Sequence, residues 1–562
     1  MCGIWAYFSK KELSSNFLGK LYQYFNNIVP RGPERSRLIN LHLQELEIFL
    51  GFHRLSIIDT SHKGDQPFVI NIEESQNNFR TIYTLCNGEI YNYKSLIDKY
   101  NFDECLKRES DCKILPYMYL KLGIDVMVKE LIGEFAFMIL DITKDNIILH
   151  TARDPLGVRP MYISYDDNGL YVGSELKGSV HTSSEQENPY YIDQVRGGCY
   201  TSINLRDLNL NGFIPQWKKF YCVNEIESQI DDLEIAKNII YGNLTQCVVD
   251  RLMSDVPIGF LLSGGVDSSL VCGIAAKHLK QFGQRIRTFS CGLETGSTDE
   301  PYAKMVAKYI DSEHTHVVFK VQDFIDAIPN IVYTIETYDI TSVRASVAQY
   351  LICKWISQNT DIKVLYCGDG SDELTKGYKY NHKAPNSKEA HEDTLRLLRD
   401  IIYFDGKRAD RGIANNGIEA RVPFLDHRFV SAYLSIKPEL TMPTNKLEKW
   451  LLRESFREKN VIPEEVLFRS KEAFSDGVST VKKSWFEMVQ EEMNERYKDI
   501  DMNKISEKYP YNTPPTREAL YYREEFERRF GSGSVGVIPY FWLPKWVGDI
   551  KEPSARVLEV YK

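Results

Sequence analysis

The sequence has no apolar run long enough to cross a bilayer. The longest lies near Leu131–Leu140 and is broken by Gly133 and Glu134, short of the ~20 residues a membrane helix needs. Met1–Phe8 is apolar but lacks a basic flank and is too brief for a secretory leader. Positive charge is not in surplus. Lys and Arg number 69 against 78 Asp and Glu, a net charge of -9, which argues against a general polyanion binder and leaves nucleic acid off the expected partners. CxxC spacing is missing, and the cysteine count of 11 is odd. That disfavours a disulfide scaffold and favours reduced thiols in a soluble, cytoplasmic protein. No GK[ST] occurs, which excludes a Walker A loop. His314 and His316 form an HxH pair without HExxH spacing, too few ligands for a zinc site. Internal repeats and low-complexity tracts are absent as well.

What remains is a globular chain of 562 residues, 43% hydrophobic and 26% charged, enough for two or more domains. The first ~200 residues read as β-rich by alternation. Expected strands are Leu50–Asp59, Thr81–Leu85, Glu134–Asp141, Asn146–Ala152, Pro160–Tyr165 and Leu170–Ser174, with a turn at Thr143–Asn146 and a helix over Asp111–Leu122. Leu208–Gln229 is the expected linker. Beyond it, helical periodicity covers Leu233–Met253, and strands then alternate with helices. The strands are Ile258–Leu262, Ile286–Cys291, His316–Phe319 and Val364–Cys367; the helices start at Ser268 and Glu300 and run around Val347–Gln358. Such alternation predicts an α/β domain with a mainly parallel sheet. Gly531–Ser534 reads as a flexible loop.

Cys2 follows Met1 directly. Removal of Met1 puts a thiol nucleophile and an α-amine base on one residue, the amine titrating near pH 7.7–8.0 in unperturbed form. A small buried hydrophobe is the plain alternative. Further segments follow in order: Arg31-Gly32-Pro33-Glu34, Arg54-Leu55-Ser56-Ile57-Ile58-Asp59, Asn87-Gly88-Glu89-Ile90-Tyr91-Asn92, Ser110-Asp111 and Arg153-Asp154-Pro155-Leu156-Gly157. Together they resemble a class II glutamine amidotransferase domain, an N-terminal-nucleophile αββα sandwich, over residues 1–207. The resemblance implies Cys2 as nucleophile, with Asn87 and Gly88 as oxyanion hole. It implies that Arg54 holds the α-carboxylate of glutamine and Asp111 its α-ammonium, with Leu55, Ser56, Ile57, Ile58 and Glu89 lining the site.

A second loop lies at the end of an apolar strand: Ser263-Gly264-Gly265-Val266-Asp267-Ser268. Glycines let backbone approach an anion, and a following helix directs N–H groups at phosphate. An ordinary strand-to-helix turn is the alternative. The loop resembles the pyrophosphate loop of ATP pyrophosphatases. Its companion is Val364-Leu365-Tyr366-Cys367-Gly368-Asp369-Gly370-Ser371-Asp372. The resemblance implies that ATP, the co-substrate, meets Leu261, Ser263, Gly264, Gly265, Asp267, Ser268, Cys291, Cys367 and Gly368. It also implies Mg²⁺ on Asp267 and Asp372.

The two halves together resemble the glutamine-hydrolysing asparagine synthetase family across nearly the whole chain, with residues 230–562 as its synthetase domain. Glu336–Ser346 matches the aspartate segment, so that Thr341 and Arg344 would hold aspartate. Glu419–Asp426 reads EARVPFLD, Glu448-Lys449 supplies the synthetase lysine, and Lys471–Gly477 matches a late motif. The expected reaction amidates aspartate through a β-aspartyl-adenylate, using ammonia from glutamine. One departure is Asp369, where the family usually has Glu. A carboxylate one methylene shorter predicts an altered synthetase step. The partners are glutamine, aspartate and ATP, and a homodimer is left open. Another ligase on this scaffold, such as a β-lactam synthetase, is disfavoured by Cys2, and a non-enzymatic relic is disfavoured by the intact motifs.

Overall fold

A computed structural model describes residues 1–43, 46–75, 78–179, 191–444, 447–470, 472, 474–480 and 482–554. Two six-stranded antiparallel sheets face each other in the first half. One runs in the order Tyr191–Gln194, Tyr162–Tyr165, Leu170–Gly173, Gly3–Ser9, Leu46–Arg54, Arg35–Leu43. The other runs Lys218–Lys219, Cys199–Asn204, Ile147–Arg153, Gly133–Ile142, Asn78–Ile90, Phe68–Ser75.

Strand Gly3–Ser9 shows why the sheets stack. Ile4, Ala6 and Phe8 join the apolar layer between the sheets, while Trp5 and Tyr7 face the other way. Trp5 stacks edge-on to Phe25 of helix Ser15–Asn26, at 5.8 Å between ring centroids. Strand Gly133–Ile142 divides similarly. Ala136, Met138 and Leu140 enter the inter-sheet layer, and Phe135, Phe137 and Ile139 pack with helices Tyr93–Tyr100 and Ile114–Leu122. Burial on both faces makes its middle, Phe135–Leu140, continuously apolar. The layers are therefore helix, sheet, sheet, helix.

The second half holds a five-stranded parallel sheet, ordered Glu313–Phe319, Arg287–Leu293, Ile258–Leu261, Val364–Tyr366, Glu419–Arg421. Both the α+β first half and the parallel α/β second half agree with the expected fold class. The outer face of the first sheet and the second half share one continuous apolar cluster.

Some expected elements shift. The strand expected to reach Asp59 stops at Arg54. Leu55, Ile57 and Ile58 leave the sheet to pack into the shared cluster. The helix expected around Val347–Gln358 starts earlier, at Ile340, because Asp339 caps it by accepting from Ser342 N at 2.8 Å. Gly531–Ser534 is not an open loop. A 3-10 turn covers Ser532–Val537, and buried Ser534 donates to the Phe530 carbonyl at 2.8 Å. Within the expected linker, Lys218–Lys219 pairs with Cys199–Tyr200, and just after it Ile230 bridges to Ile436.

Candidate active site

The first site gathers at the ends of central strands. The backbone N–H of Cys2 donates to Asn87 Oδ1 at 3.1 Å, and its thiol lies 3.6 Å from the Leu55 carbonyl. Asn87, Gly88 and Glu89 lie on strand Asn78–Ile90. Gly88 has φ +147°, and a Cβ there would sit 2.0 Å from the Glu134 carbonyl oxygen, so only glycine fits. Asn87 Nδ2, Ser56 Oγ and Glu89 Oε2 are buried with no hydrogen-bond partner among the described residues. Buried polar atoms normally find partners, and three orphans on Ser56, Asn87 and Glu89, in the two segments that Cys2 contacts through Leu55 and Asn87, mark a place built for a polar ligand.

Asp111 follows Ser110 in a 3-10 turn and accepts from Ile90 N at 2.6 Å. Burial pushes its carboxyl up to about 6. Glu89 is pushed up as well, by burial first and then by Asp111 and Glu419. Burial also raises the Cys2 thiol. Arg54 is 3% exposed and turns toward its own loop, donating to Asp65 Oδ1 at 2.7 Å and to the carbonyls of Asp59 and Ser61. Those contacts engage three of its five N–H donors. Leu55, Ile57 and Ile58 are buried in the shared apolar cluster.

Met1 is buried in the shared apolar cluster. Its α-ammonium stands 3.6 Å from Glu419 Oε2 of the second half. While it is present, the nitrogen of Cys2 is an amide and not a base.

The second site is a cleft at the carboxyl ends of the parallel strands, where open α/β sheets bind ligands. Leu261, Ser263, Gly265, Asp267, Ser268, Cys291, Cys367, Gly368, Asp369 and Asp372 all line it, together with Thr341 and Arg344. Helix Val266–Leu279 rises from the first loop with Gly265 at its N-cap. Gly264 turns that loop at φ +84°. Gly368 of the second loop lies so close that a Cβ would come 2.8 Å from Ser268 N, which locks the two loops together. Lys449 Nζ reaches both Asp267 Oδ2, at 2.5 Å, and Asp372 Oδ1, at 2.6 Å. Two carboxylates that converge on one ammonium also suit a divalent cation completed by phosphate oxygens and water. Lys449 itself holds a left-handed φ of +58°, the kind of backbone strain that collects at functional positions.

Helix Ile340–Asn359 presents Thr341, Arg344 and Gln349 to the cleft on one face. Thr341 Oγ1 is buried with no hydrogen-bond partner among the described residues. Arg344 is held by two carboxylates the sequence reading missed, Glu518 and Glu552. Asp369 was also read without its partners. Its Oδ1 pairs with Arg408 at 2.6 Å, and its Oδ2 accepts from Gln349 at 3.1 Å. Lys471 and Ala473 of the late motif lie outside the described residues.

Family models match both halves. The glutamine amidotransferase domain matches residues 1–194, and asparagine synthase matches residues 240–400 and 383–534. The chain is 40% identical over 576 residues to the asparagine synthetase (glutamine-hydrolyzing) of Mus musculus, covering 100% of this chain and 99% of the mouse protein. It belongs to the glutamine-hydrolysing asparagine synthetase family. The proteins of that name from Homo sapiens and Gallus gallus are also 40% identical, each over 577 residues, covering 100% of this chain and 99% of theirs. Full-length coverage brings both sites of this asparagine synthetase family member into one alignment.

Proposed function

We infer that this protein makes asparagine from aspartate, with ATP as the activating co-substrate and glutamine as the nitrogen source. The carrying observation is one cleft lined by both loops, Thr341 and Arg344, with Lys449 buried against its Asp267 and Asp372. We divide the chain into a glutaminase part, residues 1–207, and a synthetase part, residues 230–562.

At the first site the Cys2 thiol attacks the glutamine carboxamide, and its proton passes through the freed α-amine to the departing ammonia. Asn87 Nδ2 and the Gly88 N–H steady the oxyanion. Water then cleaves the thioester and releases glutamate. Asp111 meets the α-ammonium of glutamine only when ionised. With its carboxyl at about 6, kcat/KM for glutamine is expected to fall as pH drops through 6, through a rising KM. Asp111→Asn should have a high KM at every pH and lose that inflection; if the inflection survives in the variant, Asp111 is not its source.

At the second site the aspartate β-carboxylate attacks the α-phosphorus of ATP, and pyrophosphate leaves. Ammonia then attacks the acyl carbon, and AMP leaves. Lys449 neutralises charge that builds on the phosphates, and Ser263 with the loop backbone cradles the departing group. Mg²⁺ held by Asp267 and Asp372 would supply charge neutralisation on the phosphate oxygens. Asp369 stands between Arg408 and Gln349 in the same cleft. Asp369→Glu is expected to speed ammonia-dependent synthesis, by up to about 10-fold if placement is what the shorter side chain costs. An unchanged or lower rate refutes that reading of Asp369.

The overall test is product analysis with Mg-ATP, aspartate and either glutamine or ammonia. Asparagine with AMP and pyrophosphate is the expected result. ADP, or no amide, overturns the assignment. A reducing, cytoplasmic location is our reading of an odd cysteine count, 11, without CxxC spacing.

A further inference from the structure

Arg344 is 4% exposed and already carries two carboxylates. Its Nε donates to Glu518 Oε1 at 3.1 Å, and Nη2 donates to Glu518 Oε2 at 2.5 Å. Nη1 donates to Glu552 Oε1 at 2.8 Å, and Nη2 also donates to Glu552 Oε2 at 3.2 Å. A guanidinium has five N–H donors, so these bonds leave one. A substrate carboxylate that forks onto arginine needs two. One of the two resident carboxylates must therefore step aside.

The two are held very differently. Glu518 is fully buried on helix Arg517–Phe530, where it also accepts from Tyr522 OH at 2.7 Å and Gln490 Nε2 at 2.8 Å. Glu552 lies on irregular chain after the last helical turn, with its side chain 19% exposed. Besides Arg344 it accepts from Gln490 Nε2 at 2.9 Å and Ser554 N at 2.9 Å. The chain just before it is pinned. Trp542 N donates to Asp339 Oδ1 at 2.8 Å, and Lys545 pairs with Asp393 at 2.9 Å. Only the last few described residues need to move. Pro553 and Ser554 line the same cleft as Thr341 and Arg344.

We propose that Glu552 is an internal competitor for the carboxylate of the incoming aspartate, and that its release from Arg344 sets the affinity for that substrate. The proposal rests on reading Arg344 as the anchor of the aspartate α-carboxylate. When Glu552 leaves, Nη1 and one Nη2 proton are freed as a fork, while Glu518 keeps the guanidinium in place. An apparent affinity falls by the fraction of molecules in the competent state, so a pair closed in about two-thirds to nine-tenths of molecules raises KM about three- to tenfold.

The test uses the full chain in ammonia-dependent synthesis at saturating Mg-ATP. In Glu552→Gln, aspartate KM is expected to fall about three- to tenfold, with kcat and the KM for ATP unchanged. A chain ending at Asp549 should show the same fall. Glutaminase activity reports folding in both. An aspartate KM that stays level or rises in both variants, with glutaminase intact, overturns the competitor. Arg344→Gln separates the two possible failures. If it raises aspartate KM strongly while Glu552→Gln lowers nothing, the competitor alone falls. If Arg344→Gln leaves aspartate KM unchanged, the anchor falls and the competitor with it.

Discussion

Cys2→Ala is expected to lower glutamine-dependent asparagine formation by about 10³-fold or more, as loss of a catalytic nucleophile does. Ammonia-dependent formation should stay within about twofold, because Cys2 touches nothing in the synthetase cleft. The asymmetry follows from geometry. Cys2 contacts Asn87 and Leu55 of its own half. Lys449, Asp267 and Asp372 form a separate cluster. Glutamate release and asparagine release, measured side by side, check it. Equal loss of both activities refutes the division of labour. Intact-mass analysis of the unmodified protein should show a chain that starts at Cys2. A retained Met1 would leave the thiol without its amine, and glutaminase activity would then be low from the outset.

Lys449→Ala should produce the opposite pattern. Pyrophosphate release and ammonia-dependent synthesis are expected to fall about 10²–10³-fold, the range for removing one preorganised charge-stabilising donor. Glutamine hydrolysis should be nearly unchanged. Removing the ammonium leaves Asp267 and Asp372 facing one another without their shared cation. Arginine is a poor substitute. A Cβ added at Gly377 would lie 2.2 Å from Lys449 Cε, so the side chain runs through a tight space. A variant that keeps synthesis within about threefold at saturating ATP would remove Lys449 from the chemistry.

Much of this was legible in the sequence because the chemistry sits at strand ends, and strand ends carry short motifs. Asn87–Glu89, Ser263–Ser268 and Gly368–Asp372 are each contiguous, so spacing exposes them. Strand Gly3–Ser9 was missed for the opposite reason. Both its faces are buried, and alternation vanishes. Glu419–Arg421 spans only three residues, too few for any period. Helix Asp405–Ala414 reads DGKRADRGIA, which looks like a solvated face. In the structure Lys407, Asp410 and Arg411 are buried, and Arg408 reaches Asp369. Charge pattern says nothing about depth when partners come from far along the chain. Glu518 and Glu552 stand 174 and 208 residues beyond Arg344, and no local signal links them.

Those buried charges also join the two halves. Arg31 reaches Asp410 at 2.7 Å, Arg251 reaches Glu134 at 2.7 Å, and the Lys177 amide donates to Glu336 at 2.9 Å. Arg159 pairs with Glu134 at 2.8 Å and donates to the Ala420 carbonyl at 2.7 Å. Breaking one such pair from one side costs about 3–5 kcal/mol, because a bare charge stays behind. The seam therefore works as a lock with a particular key. A glutaminase half borrowed from a relative can be grafted here only if it brings its own equivalents of Arg31, Glu134 and Arg159. Substitutions on one side of the seam become acceptable only alongside matching changes on the other, so the halves are bound to diverge as a pair.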